Sequence, residues 1–218
     1  MSTVAAQTET DTLYDVYSLS NTVSGEVDND LMTATLAVQL EDKDAARLAS
    51  KVNDTMRWAV TIMEDFSTIT AKTRDYQTYP RYDTSQARRL IGWRASQTLQ
   101  LDTDDFEAAG KAIQLLQERL QVQSIRLSAK PATRQRASDQ LIEEGLAAFR
   151  KRAELIQTSM GSSSFRILDV NIQDNAGAVP MYEAASMDTM RSAYVSEPAI
   201  QGGTSQVTVQ VFGRIQLQ

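Results

Sequence analysis

Few residue types in this chain could carry chemistry. There is no histidine and no cysteine. That removes disulfides, thiol nucleophiles, Cys/His zinc sites and every triad built on His or Cys. Catalysis would have to run on carboxylates, Lys, Tyr or Ser. Asp102, Asp104 and Asp105 stand close together. Oxygen ligands of that kind suit a hard divalent cation. They also precede a helical pattern, and capping of its N-terminus is the simpler reading. Glu143 and Glu144 are adjacent on another helical pattern, so they point about 100° apart and belong to a solvated face. The sequence therefore assigns no catalytic residue, no metal ligand and no cofactor.

Binding chemistry is better represented. Tyr76, Tyr79, Tyr82 and Trp93 fall close together, with Arg81 and Arg94 among them. Aromatic faces and guanidinium groups suit a glycan or a partner chain. The plainer reading is a packed strand corner with surface tyrosines. A second group is Met181, Tyr182, Met187, Met190 and Tyr194. Methionines there offer an adaptable contact surface or an oxidant trap, against the plain reading of a loop without a role. Arg88-Arg89 and Arg150 to Arg152 are short basic runs. The net charge is −6, and residues 1–44 carry nine acids against Lys43 alone. So acidic a chain excludes nucleic acid as a partner.

The elements that must position these residues follow from periodicity. The clearest is a helix over Thr133 to Gly161. Ile142, Leu146, Phe149, Ala153, Ile156 and Met160 recur at helical steps, with Leu141, Ala148 and Leu155 in a second row. Pro131 marks its start and Gly161 its end. A second long helix runs from about Asp42 to Phe66 on Ala45, Ala49, Val52, Met56, Ala59 and Met63. A shorter one spans Asp104 to Leu120, with Thr103 placed to cap it. Two strands, around Tyr17 to Val23 and Met32 to Leu40, flank a turn and predict a hairpin. Thr68 to Thr78, ending at Tyr79-Pro80, reads as an edge strand. Arg88 to Asp102 reads as a central strand with Ile91, Trp93, Ala95, Leu99 and Leu101 on one side. Further strands cover Gln123 to Ser128, Phe165 to Gln173 and Thr204 to Leu217.

The pattern predicts an α+β fold. A largely antiparallel sheet of about seven strands has two long helices and one shorter helix packed on one face. Residues 1–13 read as a disordered tail and 14–218 as a single domain with a long loop at 175–203. That loop has no period, so it is expected to be mobile and protease-sensitive. No apolar run approaches the roughly 20 residues of a membrane helix. Met1 leads straight into a polar stretch, as expected of a mature domain whose leader has been removed.

Several short motifs, in this order, resemble the SIMPL-domain family. Val23-Ser24-Gly25-Glu26 is similar to its first-strand signature. Ile91-Gly92-Trp93-Arg94-Ala95-Ser96 is similar to its central-strand signature. Asn53 and Met56 match its first helix, and Ala148, Arg152, Ala153 and Gly161 its closing helix. The family often has Pro-Asp before the second strand, where this chain has Asn29-Asp30. The resemblance spans roughly residues 16–217. It implies a bacterial periplasmic or secreted protein, in a family linked to oxidative-stress defence whose members include ring-like homo-oligomers. It implies no catalytic residues.

The functional expectation is a non-enzymatic envelope protein acting by self-assembly or binding. Its partners would be copies of itself, another envelope protein or a glycan. One alternative is a glycan- or peptide-binding module using the aromatic cluster. A more distant one is a carboxylate-based hydrolase.

Overall fold

The computed structural model describes residues 14–83, 89–180 and 202–218. They form seven strands in two antiparallel sheets and three helices, a mixed α+β fold as the periodicity predicts. The elements in chain order are β1 (Val16–Asp28), β2 (Leu31–Asp42), α1 (Ala45–Met63), β3 (Thr70–Tyr82), β4 (Leu90–Thr103), α2 (Phe106–Leu116), β5 (Gln121–Ser128), α3 (Pro131–Ser159), β6 (Phe165–Pro180) and β7 (Thr204–Leu217). The expected tail at 1–13 lies outside the described residues, as does Arg88. No described helix is long and apolar enough to cross a membrane.

The chain divides into two compact units. The first gathers residues up to Val27, Pro131–Val179 and Gln206–Gln218. Its sheet has the order β1-β7-β6, with α3 packed against it. The centre strand β7 alternates as expected. Val207, Val209, Val211 and Ile215 are buried, while Phe212 is exposed. They meet Leu19 of β1 and Leu141, Phe149 and Ala153 of α3.

The buried stripe of α3 is Ser138, Leu141, Gly145, Phe149 and Ala153. The apolar period placed it one position round, through Leu146 and Met160. Those two are 38% and 59% exposed, and Leu155 is 66% exposed. Gly145 explains the shift. A Cβ there would lie 2.8 Å from Cγ2 of Val211, so the glycine lets the helix backbone approach the sheet. The helix ends as its glycine predicts. Gly161 has φ 67°. Its N–H donates to Thr158 O at 3.2 Å, and Ser162 N–H donates to Gln157 O at 3.1 Å. This is a Schellman cap.

The second unit holds Asp28–Lys130 with the described end of the Pro180–Ser205 segment. Its sheet has the order β3-β4-β2-β5, so β3 is an edge strand and β4 is internal, as predicted. The alternating Met32, Ala34, Leu36 and Val38 of β2 pack with Ala95, Leu99 and Leu101 of β4. Leu48, Val52, Met56 and Ala59 of α1, with Ala109, Ile113 and Leu116 of α2, cover that face. Asp44 caps α1 by accepting from Arg47 N–H at 2.8 Å.

Three expectations are corrected. β1 and β2 do not form a hairpin: β1 joins the first sheet and pairs with β7, while β2 is flanked by β4 and β5. The helix at residue 106 is capped by Asp105, whose side chain accepts from Ala108 N–H at 3.0 Å. Thr103 instead accepts from Asp105 N–H and donates to Thr68 O. Finally, β6 continues to Pro180, beyond the Gln173 that the pattern predicts as its end, so the expected loop at 175–203 does not begin at 175, and residues 181–201 of it lie outside the described residues.

Candidate functional site

The aromatic residues singled out by the sequence lie on β3 and β4, and two bulges decide where each goes. Arg74 pairs with Thr98 and Gln77 with Ser96, so Asp75 and Tyr76 together oppose one residue. Asp75 has φ 39°, an uncommon conformation for a non-glycine residue. After this bulge Tyr79 is opposite Arg94 and Pro80 opposite Trp93. Registered partners share a face of the sheet. Tyr79 and Arg94 therefore lie on one face, and Trp93 and Pro80 on the other.

Trp93 is half-buried and packs on the core beneath α1 and α2. Tyr76, Tyr79 and Tyr82 are 45%, 53% and 50% exposed. The second bulge leaves Ile91 without a partner, since Arg81 pairs with Gly92 and Tyr82 with Leu90. Ile91 is exposed for that reason, not on the core side as its position in the alternation predicts. The structure thus brings Tyr79, Arg81 and Arg94 together and directs Trp93 away from them.

Sequence reasoning missed the residue that joins them, Glu41 at the end of β2. It is registered with Arg94, which is registered with Tyr79, so one row crosses three strands. Glu41 Oε1 accepts from Arg94 Nε at 2.8 Å and from Nη2 at 2.7 Å. Its Oε2 accepts from Arg81 Nη1. One carboxylate thus holds two guanidinium groups, leaving the cluster a net positive charge. Gly92 lies opposite Arg81 and has no side chain to block its reach across β4. Tyr79 Oη donates to Gln77 Oε1 at 2.6 Å, which steadies its ring. The signal for Glu41 was available, as a charged residue closing an apolar alternating strand, but only the register connects it to Arg81 and Arg94.

A cation–π contact occurs elsewhere, with Arg119 over Trp58 at 4.6 Å from the ring centroid. The acidic trio is dispersed. Asp102 accepts from Thr33 Oγ1 and Gln100 Nε2, both at 2.9 Å. Asp104 pairs with Lys130 at 2.5 Å, and that ammonium holds its carboxyl below the usual carboxylate range. Asp105 caps α2. Among the described residues no group of acids is placed to hold a metal ion. Met181, Tyr182, Met187, Met190 and Tyr194 lie outside the described residues.

Comparison with known proteins gives one broad match. A family model, SIMPL, described as a protein of unknown function (DUF541), matches residues 18–215. No curated protein matches the chain. Among solved structures there is a crystal structure from Burkholderia cenocepacia, named provisionally as an amidohydrolase/peptidase. It is 10% identical, with a TM-score of 0.26, over 48% of this chain and 28% of that one. A superposition that loose carries nothing about this chain's activity. The family match covers nearly the whole chain and runs through both sheets, and on it the protein belongs to the SIMPL family.

Proposed function

We propose that this protein is a non-enzymatic envelope protein that works by contact, associating with further copies of itself through the outer side of β3. The observation that carries this reading is the combination of exposed Tyr76, Tyr79 and Tyr82 with the Arg81–Glu41–Arg94 cluster on an edge strand. Tyrosine and arginine dominate the energetic centres of protein interfaces. The cluster is cationic on a chain of net charge −6, so a second copy offers it complementary charge.

The contact runs through side chains rather than an added strand. Strand β3 carries the charged Lys72, the bulge at Asp75 and Pro80, which has no backbone N–H to donate. These are the devices that keep edge strands from pairing indiscriminately.

Carboxylate catalysis is disfavoured by placement. Paired-carboxylate hydrolases need two acids facing each other within about 5–10 Å in a cleft. Among the described residues, the depressions lined by Ser18 and Arg214, by Ser138 and Val207, and by Arg152 and Leu155 hold one acid each, Asp169, Asp174 and Glu154, and the one at Asn53 and Gln97 holds none. The family match, spanning residues 18–215, supports treating residues 14–218 as one domain. Placement in the periplasm or outside the cell, and service in oxidative-stress defence, rest on the resemblance to envelope members of the family. The test is the native mass of the protein by sedimentation across the micromolar range. The proposal expects a defined oligomer that grows with concentration. A monomer throughout would refute it.

A further inference from the structure

The three-stranded sheet has a second face, opposite α3. Leu19, Val211, Gly213 and Ile215 point to the core and are buried. Ser18, Ser20, Phe212 and Arg214, their neighbours along β1 and β7, therefore point the other way. With Asp169 and Asn171 of β6 they line a depression of about 390 Å³. That lies within the roughly 300–1,000 Å³ of small-molecule sites. Gly213 makes this arrangement possible. A Cβ there would sit 2.6 Å from Asp169 O and 2.8 Å from Phe149 Cζ, so only glycine lets β6 close on β7 at this point.

The polar groups here are oriented but not used up. Arg214 donates through Nε at 2.7 Å and Nη2 at 2.5 Å, both to Oδ2 of Asp169. Oδ1 of Asp169 is left as an acceptor. Among the described residues, Asn171 and the hydroxyls of Ser18 and Ser20 have no side-chain hydrogen-bond partner. The Phe212 ring is 37% exposed beside them. The floor thus offers one aromatic face, an acceptor, an amide that both donates and accepts, and two hydroxyls.

We propose that this face binds a neutral saccharide, one sugar ring stacked on Phe212 with its vicinal hydroxyls held by Asp169, Asn171 and Arg214. The chemistry selects the class. A sugar ring presents a C–H face, weakly positive, that suits the negative face of an aromatic ring. Its hydroxyls each donate and accept, matching planar side chains that do one or both. Asp169 and Arg214 cancel each other's charge, so an anion or a cation gains nothing from the site. A peptide lying across this face gains no backbone ladder, because strand pairing runs at the sheet edges and the central β7 is paired on both sides. This site lies in a different unit from the β3 cluster and does not depend on the association proposed there.

The test is an NMR titration of the ¹⁵N-labelled chain with maltose, with cellobiose and, separately, with inorganic phosphate. The proposal expects millimolar binding of a disaccharide, with amide shifts confined to Ser18–Ser20, Asp169–Asn171 and Phe212–Arg214, and no response to phosphate. Phe212→Ala should weaken binding about tenfold, the upper range of a stacked aromatic contact. Asn171→Ala, on the edge strand, serves as the second variant and should also weaken it. Both variants should keep the spectrum of the folded chain elsewhere, since Phe212 and Asn171 are exposed. No shifts with either sugar, undiminished shifts in Phe212→Ala, or a response to phosphate alone would overturn the proposal. So would retention on insoluble cellulose without a response to cellobiose, since the site described here recognises a free ring.

Discussion

The carboxylate of Asp42 sits 2.8 Å from Nζ of Lys51, two turns along the helix that Asp42 precedes. The ammonium hydrogen bond is the largest of several forces on this group. Asp44 N–H donates to it at 3.0 Å, and Arg47 approaches at 3.3 Å. Together they hold its pKa down from 3.8 to about 2. A carboxyl whose pKa falls on folding stabilises the folded state above its unfolded pKa, and the contribution is lost as pH falls through the folded value. Asp42 therefore supports the start of α1 fully above about pH 4 and loses that role between about pH 4 and pH 2. A carboxyl ¹³C titration should place its midpoint near 2. Asp42→Asn should flatten the acid limb of the stability curve in that window. An ordinary midpoint near 4 would show that the ion pair does not persist in solution.

Gly92 and Gly110 should respond in opposite directions to the same change. A Cβ on Gly92 would meet the carbonyl oxygen of Asp42 at 2.9 Å, a backbone atom that cannot move alone. Gly92→Ala is expected to cost more than ~1 kcal/mol and to loosen the end of β2 that presents Glu41. Gly110 lies inside α2 with nothing within 4 Å of its would-be Cβ. Gly110→Ala should stabilise by about 0.4–1 kcal/mol, because alanine restricts the unfolded chain and favours the helix. Urea denaturation of the two variants gives both signs directly. Equal effects would mean that the approach of β4 to β2 differs from that described.

Asn29 occupies the place where the family often has proline, and its role accounts for the departure. Its N–H donates to Gly203 O at 3.0 Å, which proline could not do. Its Oδ1 accepts from the buried Ser205 Oγ at 2.6 Å. Asn29→Ala should cost roughly 1–3 kcal/mol by stranding that hydroxyl. The double variant with Ser205→Ala should cost little more than the single one. Additive losses, measured by the same denaturation, would show that the two side chains do not act as a pair.

The face of α3 can be tested by three truncations. Phe149, 2% exposed and seated under Gly213, should cost roughly 3–5 kcal/mol as alanine. Leu155, 66% exposed, and Lys151 should each stay within about 0.5 kcal/mol. A large loss at Leu155 would restore the helix face that the apolar period alone suggests.

That face shows where the sequence was readable and where it was not. Strong local periods were sufficient for α1, β2 and β7, because a buried face repeats along a single element. They misjudged α3, because Gly145 is buried by the close approach of β7 and Ser138 donates to Asp174 of β6, both strands far away in sequence. Hydrophobicity gives such residues no weight. The hairpin between β1 and β2 failed for a related reason: two alternating strands announce themselves, but not which strand each will pair with. In the candidate site, exposed tyrosines on an edge strand were legible from residue type and from Pro80. The separation of Trp93 from Tyr79 was not, since it depends on bulges at Asp75 and Ile91 that shift the pairing. Glu41 was hidden because its meaning lies wholly in register.

The proposed association joins one copy of the chain to another through the Tyr79 and Arg81–Glu41–Arg94 surface. Arg81→Glu combined with Tyr79→Ala changes only exposed side chains, so the fold should keep its stability within about 1 kcal/mol. The decisive measurement is the native mass of this double variant beside the unaltered protein, at matched micromolar concentrations. The account predicts a concentration-dependent oligomer for the unaltered chain and a monomer for the variant. A monomer for both, or an identical oligomer for both, would contradict it.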